Sequence, residues 1–272
     1  MPFELDRPYS LADAQVDFFR DNGFVRLKHV FSAEQLAHYG PEITRLTLER
    51  SSGARPLAER STYGKAFLQI TNLWEQSGLA REFVFSKRLA RIAAELLEVG
   101  GVRLYHDQAL YKEPGGGFTP AHADQYYWPL ASDRCVTAWV PLQAVPEEMG
   151  PIGFYAGSHR FESGRDVPIS DESEARIGAE MERQQFPLIN DPFELGEVSF
   201  HSGWTFHRAG PNRTDRPRSV MTIIYMDSEM RLAEPSPGQR DDRDAFCPGV
   251  DVGDVIATPK NPLLYERVSA TG

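Results

Sequence analysis

Between Val102 and Asp227 the sequence consists of short extended segments separated by Pro and Gly. The segments are rich in Val, Ile, Tyr, Trp and Thr, which favour β-strands, and turn-forming residues bound them. The pattern predicts strands at 102–112, 121–127, 133–144, 151–156, 195–201, 204–209 and 217–227. Many short strands joined by turns indicate an antiparallel β barrel or sandwich.

The N-terminal region has a different, helical pattern. It predicts helices over 10–22, 32–50 and 86–97, with a short strand at 24–27. Ser10, Ser32 and Ser86 are placed to cap these helices, and Ser32 with Gln35 has the spacing of a capping box. Gly23 is a suitable stop for the first helix, whereas Gly40-Pro41 can kink the second.

The length of 272 residues and the hydrophobic content of 41% fit one large domain, 1–272. Residues 1–101 are predicted to form a mainly helical buttress, 102–227 the β core, and 228–272 a C-terminal extension. A charged helical segment within 161–190 interrupts the core. An insertion of this kind is either a lid or a peripheral helix.

Composition excludes several classes of protein. A formal net charge of −10, from 29 basic and 39 acidic residues, argues against nucleic acid or an anionic membrane as a partner. The chain has no run of eighteen apolar residues and no N-terminal signal pattern, so a cytoplasmic location without membrane association is expected. The two cysteines, Cys135 and Cys247, fit a reducing compartment. No oligomeric state is indicated.

The triplet His122-Ala123-Asp124 is the first candidate for chemistry. On an extended segment His122 and Asp124 point to the same side, so they can bind one metal ion together. His207, on a distant predicted strand, is the favoured third ligand, and His201 is the alternative. Two imidazoles and a carboxylate on one face of an octahedron leave positions open for a chelating co-substrate and O₂, as in Fe(II) oxygenases.

Arg218, eleven residues after His207, complements this set. It begins a predicted strand on which Val220 and Thr222 share its face, so burial is expected. A buried guanidinium needs an anionic partner, and its fork matches a carboxylate. The partner is either a protein carboxylate or a ligand carboxylate, and 2-oxoglutarate is a chelating co-substrate that has a second carboxylate to offer.

The motifs around these residues resemble those of the phytanoyl-CoA dioxygenase family of Fe(II)/2-oxoglutarate-dependent oxygenases, from about Leu104 to Asp227. The motifs that carry the resemblance are the turn-rich stretch 112–120 before His122, Gln125-Tyr126-Tyr127-Trp128-Pro129-Leu130, Thr137-Ala138-Trp139-Val140-Pro141-Leu142 and Gly157-Ser158-His159. The resemblance implies a mainly β fold with flanking helices, in which N-terminal helices buttress a double-stranded β-helix, a jelly-roll or cupin-like core.

The resemblance favours the ligand carboxylate as the partner of Arg218, because the eleven-residue step from His207 matches the family. It also implies that Gln108, Thr137 and Trp139 border 2-oxoglutarate. Lys112 lies on the same strand face as Gln108 but is the weaker candidate for a contact with 2-oxoglutarate. The alternative interpretation is that its side chain is solvated at the end of the strand. The aromatic residues near the triad are interpreted either as a substrate wall or as core. They are Tyr126, Tyr127, Trp128, Phe154 and Tyr155.

The implied function is a 2-oxoglutarate-dependent dioxygenase that uses Fe(II) and O₂ to hydroxylate a C–H bond of a small molecule, releasing succinate and CO₂. A natural product or other secondary metabolite is the preferred substrate, and an acyl-CoA is the alternative within the family. Related halogenases lack the carboxylate, so Asp124 favours hydroxylation. Desaturation, epimerisation and cyclisation are not separated from it. The alternative outside the family is a non-oxidative β-barrel metal protein, a ligand sensor or an isomerase.

Overall fold

A computed structural model describes residues 4–267. The helices in this range are α1 (Asp13–Asn22), α2 (Ala33–Arg50), α3 (Thr62–Ala66), α4 (Gly78–Val84), α5 (Lys87–Leu96), α6 (Asp171–Arg183) and α7 (Arg240–Phe246). The strands are β1 (Phe24–Leu27), β2 (Leu68–Thr71), β3 (Gly101–Lys112), β4 (Thr119–His122), β5 (Cys135–Pro141), β6 (Ile152–Tyr155), β7 (Leu188–Ile189), β8 (Val198–Ser202), β9 (His207–Ala209), β10 (Arg218–Asp227) and β11 (Leu263–Glu266).

The strands form two antiparallel sheets. The major sheet has the order β1-β8-β5-β10-β3-β11, and β2 also pairs with β3; the minor sheet has the order β4-β9-β6-β7. A single cavity is lined by residues of both sheets. This is the mainly β, jelly-roll architecture with flanking helices that the sequence predicts, although neither sheet closes on itself.

Side-chain alternation on the central strands separates a packing face from a site face. On β5, Val136, Ala138 and Val140 belong to a core that also contains side chains of α1, α2, α4 and α5. Thr137 and Trp139 on the opposite face line the cavity. The helices therefore cover one face of the major sheet and leave the other to the site.

The predicted helices are present, with one cap misplaced. Helix α1 begins at Asp13 rather than at Ser10, and the side chain of Gln15 accepts the backbone N–H of Ala12 instead. Gly23 ends α1 in the left-handed conformation, at φ +78°. Ser32 and Ser86 cap α2 and α5 as predicted. Helix α2 continues through Pro41.

Several predicted strands are shorter than expected. The strand predicted at 121–127 ends at His122, and residues 124–127 form a 3-10 turn. The aromatic residues there favour a strand, but the Tyr126 N–H bonds to the Ala123 carbonyl and closes a turn. The strands predicted at 133–144 and 204–209 are likewise reduced to β5 and β9. Before each of them the backbone forms a local turn, closed by a hydrogen bond from the Cys135 N–H to the Asp133 carbonyl and from the Thr205 N–H to the Ser202 carbonyl.

The insertion and the C-terminal region both pack on the β core. Glu174 of α6 accepts the Ala121 N–H of β4 and forms an ion pair with Arg208 of β9. Strand β11 adds to the edge of β3, and Asn261 donates to the carbonyls of Leu104 and Tyr105. No helix within residues 4–267 has the length and apolar character needed to span a membrane.

Candidate active site

Two strands of the minor sheet bring the predicted triad together. His122 ends β4 and His207 begins β9, and the two residues are direct partners in the ladder. Asp124 follows after one extended residue, Ala123. The Asp124 Oδ1 atom lies 3.5 Å from His122 Nε2 and 3.6 Å from His207 Nε2. Among the described residues these three form the one group whose ligand atoms could hold a metal ion together.

Both histidines present a free Nε2 lone pair to this point. The Nδ1 of His122 lies 2.8 Å from the Pro120 carbonyl, and the Nδ1 of His207 lies 3.0 Å from the Thr205 carbonyl. A carbonyl can only accept, so Nδ1 carries a proton in each ring, and in the neutral tautomer this leaves the Nε2 lone pair free. This is the usual arrangement of metal-binding imidazoles.

The second oxygen of Asp124 is held by two donors. His201 Nε2 and Thr137 Oγ1 each lie 3.1 Å from Oδ2. His201, the alternative third ligand, therefore contacts the oxygen that does not face the other two histidines, and it is outside the converging group. Its position is that of a residue that orients Asp124.

Electrostatics keep the triad in the protonation states that metal ligands need. Burial acts to raise the pKa of Asp124, but His207, His122 and His201 outweigh it and hold the pKa well below its usual range. Burial, reinforced by His122, lowers the pKa of His207 to about 3. At pH 7 an ionised Asp124 carboxylate thus faces the neutral imidazole of His207.

Arg218 lies at the other end of the cavity and is buried, with 2% of its surface exposed. Its Nη1 donates to the Gly150 carbonyl, its Nε has no partner, and the guanidinium carbon lies 5.4 Å from the Trp139 ring centroid. Within residues 4–267 no Asp or Glu forms an ion pair with it, and burial lowers its pKa to about 9. The site holds a buried cation without a protein counter-ion.

Lys112 is also buried, so the interpretation as a solvated strand end is wrong. Its Nζ donates to the carbonyls of Gly117 and Gly210 at 2.6 and 2.7 Å and to Thr119 Oγ1 at 3.3 Å. Burial and the nearby charge of Arg218 lower its pKa to about 6. Two basic groups therefore share this end of the site.

The three residues that the resemblance placed beside the co-substrate all line the cavity. Gln108 accepts a hydrogen bond from Gln69 Nε2 at 2.5 Å, which turns its amide toward β2. Thr137 is engaged by Asp124, and Trp139 underlies Arg218. Of these three residues, Trp139 is the one that contacts Arg218, the candidate carboxylate anchor.

The aromatic residues divide between wall and core. Tyr127 and Trp128 line the cavity, whereas Phe154 and Tyr155 are buried in packing clusters and Tyr126 is not part of the lining. His106 also reaches the cavity, where its ring stacks on Phe246 at 4.1 Å between centroids. The interpretation as core is therefore confirmed for Phe154 and Tyr155, and contact of Tyr127 and Trp128 with a substrate stays a prediction.

Sequence reasoning missed the outer wall of the cavity, which has a volume of about 310 Å³. This wall comes from the region of α3 and β2 and from α7, outside the predicted β core. Its members are Tyr63, Phe67, Gln69, Thr71, Asp242 and Phe246. Nothing in the spacing of these residues relates them to the triad, because they meet it only through the tertiary fold.

Comparison with known proteins gives the same picture as the geometry. A dioxygenase, lolE1 of Epichloe uncinata, is 26% identical over 218 residues, covering 77% of this chain and 80% of that protein. The ectoine dioxygenase of Bordetella parapertussis is 25% identical over 248 residues, covering 84% of this chain and 80% of its own.

Among solved structures, the epimerase SnoN in complex with Fe³⁺, alpha ketoglutarate and nogalamycin RO superposes with a TM-score of 0.76 at 26% identity, covering 93% of this chain and 98% of SnoN. The carbocyclase SnoK from nogalamycin biosynthesis has the same fold, with a TM-score of 0.76 at 23% identity, over 94% of this chain and 98% of SnoK. The sequence model of the family "Phytanoyl-CoA dioxygenase (PhyH)" matches residues 19–220, which include the whole triad and Arg218. This chain therefore belongs to the phytanoyl-CoA dioxygenase family.

Proposed function

We propose that the protein is an Fe(II)- and 2-oxoglutarate-dependent dioxygenase that hydroxylates a C–H bond of a small molecule. The observation that carries the proposal is the presence, in one cavity, of the triad His122, Asp124 and His207 and of the unpaired buried cation Arg218. A sensor or isomerase built on the same triad would have no use for such an anchor.

The triad fits Fe(II) by the chemistry of its donors. His122 and His207 offer neutral Nε2 atoms, and Asp124 offers Oδ1, on one side of a common point. Ligands from one face leave the remaining positions free for exchangeable molecules. When bound, Fe(II) with 2-oxoglutarate and O₂ supplies the oxidising power for C–H cleavage, and succinate and CO₂ are released.

The protein contributes orientation and charge. Arg218 would hold the distal carboxylate of 2-oxoglutarate, and the Trp139 ring lies against its guanidinium group. At the same end, Lys112 ties together the loops that carry the Gly117 and Gly210 carbonyls. His201 and Thr137 hold the Asp124 carboxylate so that Oδ1 stays directed at the metal position.

Asp124 also bears on the outcome of the reaction. Because the carboxylate occupies the third ligand position, no room is left there for a halide, and this favours hydroxylation. Desaturation, epimerisation and ring formation use the same set of ligands, and SnoN and SnoK are described as an epimerase and a carbocyclase.

A small metabolite is the preferred substrate, ahead of an acyl-CoA. A cavity of about 310 Å³ lies at the lower end of the range for small-molecule sites, and it must accommodate 2-oxoglutarate as well. The relatives named for ectoine and for nogalamycin point in the same direction.

The test is anaerobic addition of Fe(II) and 2-oxoglutarate to metal-free protein, followed by measurement of the weak visible charge-transfer band of the chelate. We expect the band in wild type and in the control His29→Asn, which changes an exposed histidine with φ +57° to another residue that tolerates this conformation. His207→Ala should abolish it. Folded, iron-loaded wild type without the band would favour the non-oxidative metal protein.

A further inference from the structure

Asp242 is the feature of the cavity that the proposed reaction does not use. It lies on α7, and apart from the metal ligand Asp124 it is the one carboxylate in the cavity lining, as far as residues 4–267 are concerned. No hydrogen bond or ion pair engages its side chain within that range. Burial, together with the neighbouring Asp241, raises its pKa to about 7.

Asp242 faces the same chamber as the metal site. The hydroxyl groups of Tyr63 and Tyr127 feel the charges of both Asp124 and Asp242, which add to the effect of burial in raising their pKa values. The two tyrosines thus lie within electrostatic range of both carboxylates. A molecule that contacts Asp242 can therefore extend toward the triad.

The walls around Asp242 are aromatic. Tyr63, Tyr127, Trp128 and Phe246 all line this part of the cavity. Aromatic faces attract cations, and a carboxylate without a partner in a partly desolvated pocket is stabilised most by a positive charge. Among the basic side chains that line the cavity within residues 4–267, Arg208 is paired with Glu174 and Arg218 is assigned to 2-oxoglutarate. Burial lowers the pKa of His106 to about 4, so its ring is neutral.

We propose that the substrate carries a protonated or quaternary amine, which binds between Asp242 and these aromatic side chains while another part of the molecule reaches the metal. The inference rests on the proposed function, because it assigns the other charged groups of the cavity to Fe(II) and 2-oxoglutarate. The competing interpretation is that a protonated Asp242 donates to a neutral, oxygen-bearing substrate.

The experiment compares phenethylamine with 2-phenylethanol by calorimetry, since both are small aromatic molecules and only the amine is cationic at pH 7. Binding is measured with wild type, Asp242→Asn and Asp241→Asn. The last is the matched control, because it removes an exposed charge from the same turn of α7. We expect the amine to bind wild type and Asp241→Asn about tenfold more tightly than the alcohol, and Asp242→Asn to lose this preference.

Equal binding of amine and alcohol by wild type, no binding of the amine, or an unchanged preference in Asp242→Asn would overturn the proposal. The anaerobic band with Fe(II) and 2-oxoglutarate is recorded on the same wild-type samples. If the band is absent but the amine preference depends on Asp242, the proposed oxygenase function fails and the cation site stands. If the band is present and the preference is not, only the cation site fails.

Discussion

Replacing Arg218 by methionine should change ligand-free stability and 2-oxoglutarate binding in opposite directions. Burial disfavours the charge of Arg218 and lowers its pKa from the ordinary value of an arginine to about 9. At pH 7 the guanidinium is charged in both the folded and the unfolded chain, so the full penalty for burying the charge lowers the free energy of unfolding there. This penalty is lost only as the pH rises from the folded pKa to the unfolded pKa. At about 1.4 kcal/mol per pKa unit the penalty is about 5 kcal/mol.

Two contacts offset part of this penalty. The hydrogen bond from Nη1 to the Gly150 carbonyl and the cation–π contact with Trp139 together contribute about 3 kcal/mol. Arg218→Met should therefore stabilise the ligand-free protein by about 2 kcal/mol, which raises the melting temperature by about 4 °C or more for a chain of this size. Its affinity for 2-oxoglutarate should fall by roughly 30-fold or more, since a buried charge partner is lost.

The assay is thermal unfolding of metal-loaded protein under anaerobic conditions, with and without 2-oxoglutarate. Wild type should gain stability with ligand concentration, whereas Arg218→Met should start higher and gain little. Arg216→Met, a change of an exposed arginine in the preceding turn, is the control and should behave as wild type. An Arg218→Met protein that melts lower than wild type and still responds fully to 2-oxoglutarate would refute the reasoning.

Three further perturbations test other parts of the site and its support. Thr137→Val removes one of the two donors to Asp124 Oδ2 and should weaken Fe(II) binding about tenfold in a metal titration; unchanged affinity would mean that His201 alone suffices. Gly150 has φ +70°, and Gly150→Ala would place a Cβ 2.3 Å from the Gly210 carbonyl oxygen. This change should lower the free energy of unfolding, measured in urea, by about 3 kcal/mol. A loss below about 1 kcal/mol would contradict the steric argument. Burial raises the pKa of Asp107 to about 7, so its pKa is higher in the folded than in the unfolded chain. The free energy of unfolding should therefore fall by up to about 4 kcal/mol as the pH rises from about 4 to 7. Asp107→Asn should flatten this dependence in urea unfolding at several pH values, and a slope equal to that of wild type would exclude Asp107 as its source.

The parts of the site that the sequence predicts are those in which local geometry fixes direction. His122 and Asp124 converge because Ala123 between them is extended, even though the strand itself ends at His122. The burial of Arg218 is predictable because it begins a strand with apolar neighbours, and a buried arginine without a protein counter-ion is a candidate anchor for an anionic ligand. In both cases the argument requires only a strand and the chemistry of the side chain.

The parts that the sequence does not predict depend on contacts between distant segments. The sequence favours His207 over His201 as the third ligand, as the structure has it, but it does not predict that His201 contacts the other oxygen of Asp124, because spacing along the chain carries no such information. Lys112 is buried because the Gly117 and Gly210 carbonyls turn toward it from two separate loops. Asp242 reaches the cavity from a segment that looks like a simple C-terminal extension.

The strand order also bears on how the protein reaches its folded state. Strand β10 lies between β3 and β5, and β1 pairs with β8, so Phe24 faces His201 across the ladder. These paired strands are far apart in the sequence. Bringing them together costs chain entropy before the pairing stabilises the chain, and chains with many such pairings fold slowly. In any chain in which β10 has not yet paired, β3 and β5 each expose an edge rich in apolar side chains, and such incompletely folded chains are prone to aggregate. Production at low temperature or with a chaperone should therefore improve the yield of folded protein more than added iron does, because the metal ligands of β4 and β9 come together only with the tertiary fold.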